Sequence, residues 1–308
     1  MMFAARSTIV CLAFFGVMYS TLSCLVASGW WILRRRRRMK VPGSAGLLFA
    51  LRIFPLGFSV LVAIFLTLPS FWLMERSSFD EEATTFLLAS FSLLLLTAGA
   101  ARVLRARSRT SRAVRAWLIQ SGSADKPGTA AMTAAKGAPA LMLVGVCNPK
   151  VMVSDMATAV LSDSELRVAI GHELGHRRSW DNLKKLLINA TSFPGMSGIE
   201  RAWREAAELA ADDSAVENRR DALDLASALI KLSRSSQQWS EPEVASGLVC
   251  ASSVVSLRVQ RLLEWHIRPR IQEIWAWILP SLLIVIAVAS NYGTALVLTH
   301  RLTELLVP

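Results

Sequence analysis

Two histidines with a glutamate directly after the first are the residues of this chain best placed to do chemistry: His172-Glu173-Leu174-Gly175-His176. On a helix, residues four apart share a face. Both imidazoles then point the same way and can ligate one Zn²⁺. Glu173 projects beside them, where its carboxylate can accept a proton from a water that the ion activates. The chemistry of such a set is hydrolysis with Glu173 as general base.

A catalytic zinc site takes three protein ligands and keeps a fourth position for water. The third ligand must come from elsewhere. His266 is far along the chain, and His300 is predicted to lie across a membrane. The carboxylates stand on the stretch Arg201 to Asp213, where Glu205, Glu208 and Asp212 fall at i, i+3 and i+7 on one helix face. Alanine and leucine line the opposite face and suit close packing. Spacing leaves Glu205 and Glu208 both open as the ligand. Glu208 has a mechanical logic: four residues on, Asp212 can accept a hydrogen bond from a ligating histidine's free N–H. His266 and Arg258 are candidates for stabilising an oxyanion.

The elements that must hold these residues are legible. Ser162 with Glu165 three residues later is a capping box, opening a helix through the motif, with Leu166, Ala169, Ile170 and Leu174 at helical spacing. Ahead of it, the apolar runs Ala140 to Val146 and Val151 to Ser154 flank Cys147-Asn148-Pro149-Lys150, a hairpin signal. The Val151 to Ser154 run is expected to offer a free sheet edge on which an extended substrate adds as a strand. Ser121 to Pro139, rich in Ser, Gly, Ala and Thr, reads as a connector. Further helices are expected over Ile199 to Asn218, Asp221 to Ser235 and Ser252 to Trp265.

The rest of the chain argues for a membrane. Of 308 residues, 53% are hydrophobic, and these come in blocks long enough to cross a bilayer, which takes about 20 residues. Four spans are expected, at about 8–33, 47–74, 84–101 and 274–298. The first is too long for a signal peptide, and its charges follow it. Arg34 to Arg38 with Lys40 follow the first span. Arg102, Arg105, Arg107, Arg109, Arg112 and Arg115 follow the third. Glu75, Asp80, Glu81 and Glu82 lie between spans two and three. The positive-inside rule then puts both arginine clusters, and the motif, in the cytoplasm and both termini outside. The net charge of +11 is thus a topology signal plus contact with anionic lipid, and direct nucleic-acid binding is not expected. Cys11, Cys24, Cys147 and Cys250 make no CxxC pair. They read as reduced thiols with no disulfide framework.

His172 to His176, Arg177 to Asn182 and the run Glu208-Leu209-Ala210-Ala211-Asp212 together resemble the gluzincin pattern of membrane-embedded metallopeptidases. With Asn148 to Val153, Leu161 to Leu166 and the arrangement of spans, the resemblance is closest to the BlaR/MecR type, the antirepressor metallopeptidases. It spans about Ala140 to Leu263 by motif. It implies one Zn²⁺ on His172, His176 and Glu208, Glu173 as base, Asp212 as a support behind the ligands, and Asp181 as an anchor of the helix end. It also implies a protein substrate, a transcriptional repressor being one candidate. The penicillin-binding sensor domain of that type is not seen after the last span, so a separate sensor protein is expected to supply the stimulus.

The expected fold class is mostly α, a polytopic membrane protein. Three N-terminal transmembrane helices occupy 1–104, a cytoplasmic α+β gluzincin-like zinc domain 105–273, and a last transmembrane helix with a short tail 274–308. The expected activity is zinc-dependent endoproteolysis of a cytoplasmic or membrane-proximal protein at a bacterial cytoplasmic membrane. The alternatives are an HtpX-like quality-control protease and a non-proteolytic signalling component whose zinc is structural.

Overall fold

The computed structural model describes residues 2–36, 44–74, 83–121, 131–134, 140–235, 245–247, 252–265 and 290–306. Helix α1 (Met2–Arg36), the pair α2 (Ala45–Val62) and α3 (Leu68–Met74), and α4 (Ala83–Ser121) form the N-terminal half. Three stretches are long and apolar enough to cross a membrane: Ala4–Arg35, Ala45–Met74 and Ala83–Trp117. Leu25, Phe65, Leu73, Leu87 and Leu94 stand on their surface more than half exposed, as lipid-facing residues do. Helix α4 runs on past the expected span and through the arginine cluster. Arginine is a good helix former, and no proline intervenes.

The second span is not a plain helix. A π segment, Ala63–Thr67, separates α2 from α3. Pro69 has no N–H to offer the carbonyl four residues back, which is that of Phe65. That carbonyl accepts the Tyr292 hydroxyl at 2.8 Å. A neighbouring helix re-satisfies the freed group, as apolar surroundings require. Tyr292 belongs to the last described helix, α11 (Tyr292–Leu306). Of the expected fourth span, 274–289 lies outside the described residues.

The remaining elements are β1 (Ala131–Ala134), β2 (Leu141–Val144), β3 (Lys150–Ser154), α5 (Asp155–Val160), α6 (Asp163–Arg178), α7 (Asp181–Ala190), α8 (Ser197–Ala215), α9 (Arg219–Ser235), β4 (Ala245–Gly247) and α10 (Ser252–Leu263). The expected hairpin is β2 against β3, antiparallel, with Leu141 opposite Val153. Gly145 leaves β2 with φ +104°, a conformation that favours glycine, and a Cβ there would meet Asn148 O at 3.1 Å. Asn182 at the start of α7 donates to Leu143 O and Gly145 O at 3.0 and 2.8 Å, pinning the hairpin to the helices.

Two expectations about the sheet are corrected. Its strand order is β1-β3-β2-β4, so Val151 to Ser154 has a partner on both sides and offers no free edge. Its second partner, β1, pairs with it in parallel from within the stretch read as connector. Ala-Met-Thr-Ala carries no alternating apolar pattern, so nothing local marked it as a strand.

The core beneath the sheet gathers Leu141, Leu143, Val151, Val168, Leu225, Leu229 and Leu232, each 7% exposed or less. Burying one such side chain contributes about 1.5–3 kcal/mol. The capping box forms as expected. Ser162 N donates to Glu165 Oε2 at 2.8 Å, and Glu165 N donates to Ser162 Oγ at 3.4 Å. Glu165 also accepts from Lys231 Nζ at 2.8 Å and from Ser227, both on α9. Burial disfavours its charge. The Lys231 ammonium and the bonds from Ser227 and Ser162 outweigh that, and hold the carboxyl down at about 2. A carboxyl depressed in the fold stabilises it above the unfolded value, near 4.3, and that contribution fades as pH falls through the folded value. Glu165→Gln is therefore expected to lower the melting midpoint at pH 7 and to flatten its decline between about pH 4.5 and 2. Parallel declines for both chains would rule out this ion pair as a source of acid sensitivity.

Candidate metal centre

The motif lies on the buried face of α6. His172 and Glu173 are 0% exposed and His176 is 1% exposed. Helix α8 packs on this face and presents Glu208 and Asp212, at 6% and 1%. The two imidazoles and the Glu208 carboxylate approach one another closely. His172 Nε2 is 3.2 Å from His176 Nε2 and 3.6 Å from Glu208 Oε2, and His176 Nε2 is 3.4 Å from Glu208 Oε1. A tetrahedron of ligands about 2.0–2.1 Å from its centre has edges of about 3.3 Å. The closest approaches are of that size, with Glu208 meeting the two imidazoles through different oxygens, and one ligand atom from each of the three residues lies within 4.8 Å of the others. His172, His176 and Glu208 are the group among the described residues that can hold a metal ion. Glu205 is not in that group.

Each imidazole is held by its other nitrogen. His172 Nδ1 lies 2.9 Å from Asp212 Oδ1, and His176 Nδ1 lies 2.7 Å from Asp181 Oδ2. Once each imidazole is neutral, as a metal ligand must be, its Nδ1–H donates to the carboxylate and its Nε2 lone pair faces the Glu208 side. Asp181 thus does more than end a helix. Its placement depends on Trp180, which turns the chain between α6 and α7 in the left-handed region at φ 57°, ψ 34°. A non-glycine residue there costs about 1–3 kcal/mol.

Arg258 of α10 is 0% exposed. Its Nε and one terminal nitrogen donate to the two Asp212 oxygens at 2.8 and 2.6 Å, and the other terminal nitrogen donates to Glu208 Oε2 at 3.0 Å. Its guanidinium sits on the Nδ1 side of His172, 3.5 Å from that atom. This position anchors the carboxylates and differs from the oxyanion-facing one considered for it. His266 lies outside the described residues.

Charge follows the geometry. Burial opposes a charged Glu208. The neighbouring His176 charge and the bonds from both imidazoles and Arg258 outweigh it and hold the carboxyl well below the usual range. Asp212 is held down against burial chiefly by Arg258. Burial would lower His176, but the Glu208 charge and the Asp181 bond raise it to about 10. Glu173 goes the other way. Burial pushes it up, and the neighbouring histidines only partly counter this. Both its carboxylate oxygens are buried, with no hydrogen-bond partner among the described residues. A buried acid costs free energy unless something uses it.

The cluster depends on how closely α8 approaches α6. A Cβ on Gly175 would run into Ser214 Oγ and come within 3.3 Å of the Ala211 backbone. Gly175→Val is therefore expected to push α8 outward and weaken zinc binding at least tenfold, since supports behind metal ligands are worth about 10–100-fold. Competition with a chelator measures it. An unchanged zinc affinity would show that the helices tolerate a wider separation.

Sequence reasoning named His172, Glu173, His176, Glu208, Asp212 and Asp181, and the structure brings these residues together. Sequence reasoning missed the anchoring role of Arg258 and the constraint at Gly175. A buried arginine leaves no local mark, whereas a glycine inside a helix, which costs about 1 kcal/mol against alanine, is itself a signal of close packing.

Residues 143–278 match the family model described as Peptidase family M48. The matched stretch contains every residue of the cluster, from His172 to Arg258. No curated protein is similar enough to the chain to count as a match. The family match and the metal-capable group together support a membrane-associated zinc metallopeptidase of the M48 type.

Proposed function

We propose that the chain is a membrane-embedded zinc endopeptidase that cuts a cytoplasmic or membrane-proximal protein. The observation that carries this reading is Glu173, a buried carboxylate with no hydrogen-bond partner among the described residues, beside the group His172, His176 and Glu208 that could hold a metal ion. A purely structural zinc site has no need of such a group. The donor set of two imidazoles and one carboxylate fits zinc with one position left over. Zinc bound there would supply the Lewis acidity that makes water a nucleophile near neutral pH.

The chain's own residues do the rest. Glu173 accepts the proton of the attacking water on a carboxylate oxygen. It then delivers that proton to the amide nitrogen as the C–N bond breaks. Its raised proton affinity suits both halves of this exchange. Asp212 and Asp181 keep the imidazoles in one tautomer and orientation. Arg258 holds Asp212 and Glu208 in place.

The proposed layout is the three spans in 1–104, the zinc domain in 105–273 facing the cytoplasm, and 274–308 as a last span and tail. The arginine clusters flanking the spans support it, and a reporter fused after Ser121 should read as cytoplasmic. The finer reading, cleavage of a transcriptional repressor, is supported by the resemblance of Asn148 to Val153 and Leu161 to Leu166 to the BlaR/MecR type.

The test uses the full chain in detergent or nanodiscs. The expected result is about one zinc per chain and cleavage of an unstructured reporter protein, lost on chelation and restored by zinc. A chain that holds zinc and cuts nothing, neither reporter nor candidate repressor, would leave the structural-zinc alternative standing in its place.

A further inference from the structure

The C-terminus of α7 is held by three different membrane-crossing helices. A helix end leaves its last carbonyls without internal partners and carries the negative end of the dipole. Here Arg52 of α2 donates to Ile188 O at 3.4 Å, to Thr191 O at 2.8 Å and to Thr191 Oγ1 at 3.1 Å. Arg102 of α4 donates to Asn189 O at 3.2 Å. Tyr19 of α1 donates to Thr191 O at 2.8 Å. Helix α4 comes so close that a Cβ on its Gly99 would collide with Ala190 O.

The same Arg52 side chain reaches α8. Its Nε and a terminal nitrogen donate to Glu200 Oε1 at 2.9 and 2.8 Å. Around this fork Leu48, Ile188, Ala202, Trp203, Ala206 and Ala207 form a cluster, with Trp30 and Phe49 packed against it. Arg52 is 1% exposed inside an apolar span. A charge in such a place is expensive and marks a functional position by default.

The far ends of the two gripped helices are the metal site. Helix α7 starts at Asp181, which orients His176. Helix α8 presents Glu208 two turns beyond Glu200 and Asp212 one turn further. A ten-residue helix is a rod about 15 Å long, and close-packed helices shift as units rather than deform. Resting on the zinc reading above, we infer that Arg52 is a positioning residue for the metal centre. It is the joint through which the arrangement of α1, α2 and α4 sets the distance between Glu208 and the two histidines. A stimulus that rearranges those spans then reaches the metal without touching it.

The test compares the full chain with Arg52→Met, Arg52→Lys and Glu200→Gln in lipid nanodiscs. Zinc affinity is read by chelator competition, kcat and KM separately, and the melting midpoint without zinc. Arg52→Met is expected to weaken zinc about tenfold, in the range for supports of metal ligands, and to lower kcat with KM little changed. Arg52→Lys keeps the charge without the fork and should fall between. If Arg52→Met does not fold, Glu200→Gln carries the test, with an expected loss of zinc affinity in the same direction, up to about tenfold. Wild-type zinc affinity in the folded variants, whatever their melting midpoints, would overturn the joint while leaving the peptidase reading intact. A wild-type chain that binds no zinc would overturn both.

Discussion

Glu173→Gln is expected to lower kcat by about three orders of magnitude, within the 10²–10⁴ that a positioned acid–base group contributes, while zinc content stays at the wild-type level. The side chain is 0% exposed, and neither oxygen has a hydrogen-bond partner among the described residues. It is not one of the three residues that could hold a metal ion. Glutamine keeps the shape and removes the proton acceptor. The substitution also relieves a buried carboxylate of its desolvation cost, so the zinc-free variant should melt no lower than the wild type, and should melt higher if the carboxyl is ionised there. Loss of activity with gained or equal stability separates a catalytic group from a packing group. Metal analysis beside kcat decides it, because retained zinc with undiminished kcat would remove Glu173 from the reaction.

Arg258→Met is expected to cost about 3–5 kcal/mol in the zinc-free protein, the usual result of removing one partner of a buried ion pair. Arg258 is fully buried and holds both oxygens of Asp212 and one of Glu208. Methionine fills much of the volume but leaves two buried carboxylates facing each other across the histidines. Zinc binds only the folded site, so excess zinc should recover part of the loss by mass action. Melting curves with and without zinc show this directly. A zinc-free variant as stable as the wild type would mean that Asp212 and Glu208 do not depend on the guanidinium.

What could be read from the sequence was what is local. The histidine spacing, the capping box at Ser162 and Glu165, and the hairpin around Asn148-Pro149 each declare themselves within a few residues. Glu208 and Asp212 needed only a helix period. Arg258 lies 46 residues from Asp212 and Arg52 lies 148 from Glu200, distances over which no pattern runs. Arg52 did carry a signal, a lone charge inside the second apolar block, but not the identity of its partner. The sheet order was invisible because β1 hides in a Ser- and Ala-rich stretch, and its presence removes the free edge expected of β3. The three N-terminal spans were plain from hydropathy. The match to peptidase family M48 supports the chemistry, and the antirepressor role rests on resemblance.

Two glycines one turn apart on α6 differ in a way useful to a protein engineer. At Gly171 a methyl group would find the Ala215 side chain at 3.7 Å, an ordinary contact. Alanine there should stiffen the helix and add up to about 1 kcal/mol. At Gly175 the same methyl would displace the Ser214 hydroxyl and press on the Ala211 backbone at 3.3 Å, which must give by a few tenths of an ångström. In a saturation library of this helix, the first glycine would accept alanine freely and the second would disfavour anything larger. The motif as commonly spelled leaves its fourth letter blank, yet here that letter sets how closely a second helix can approach.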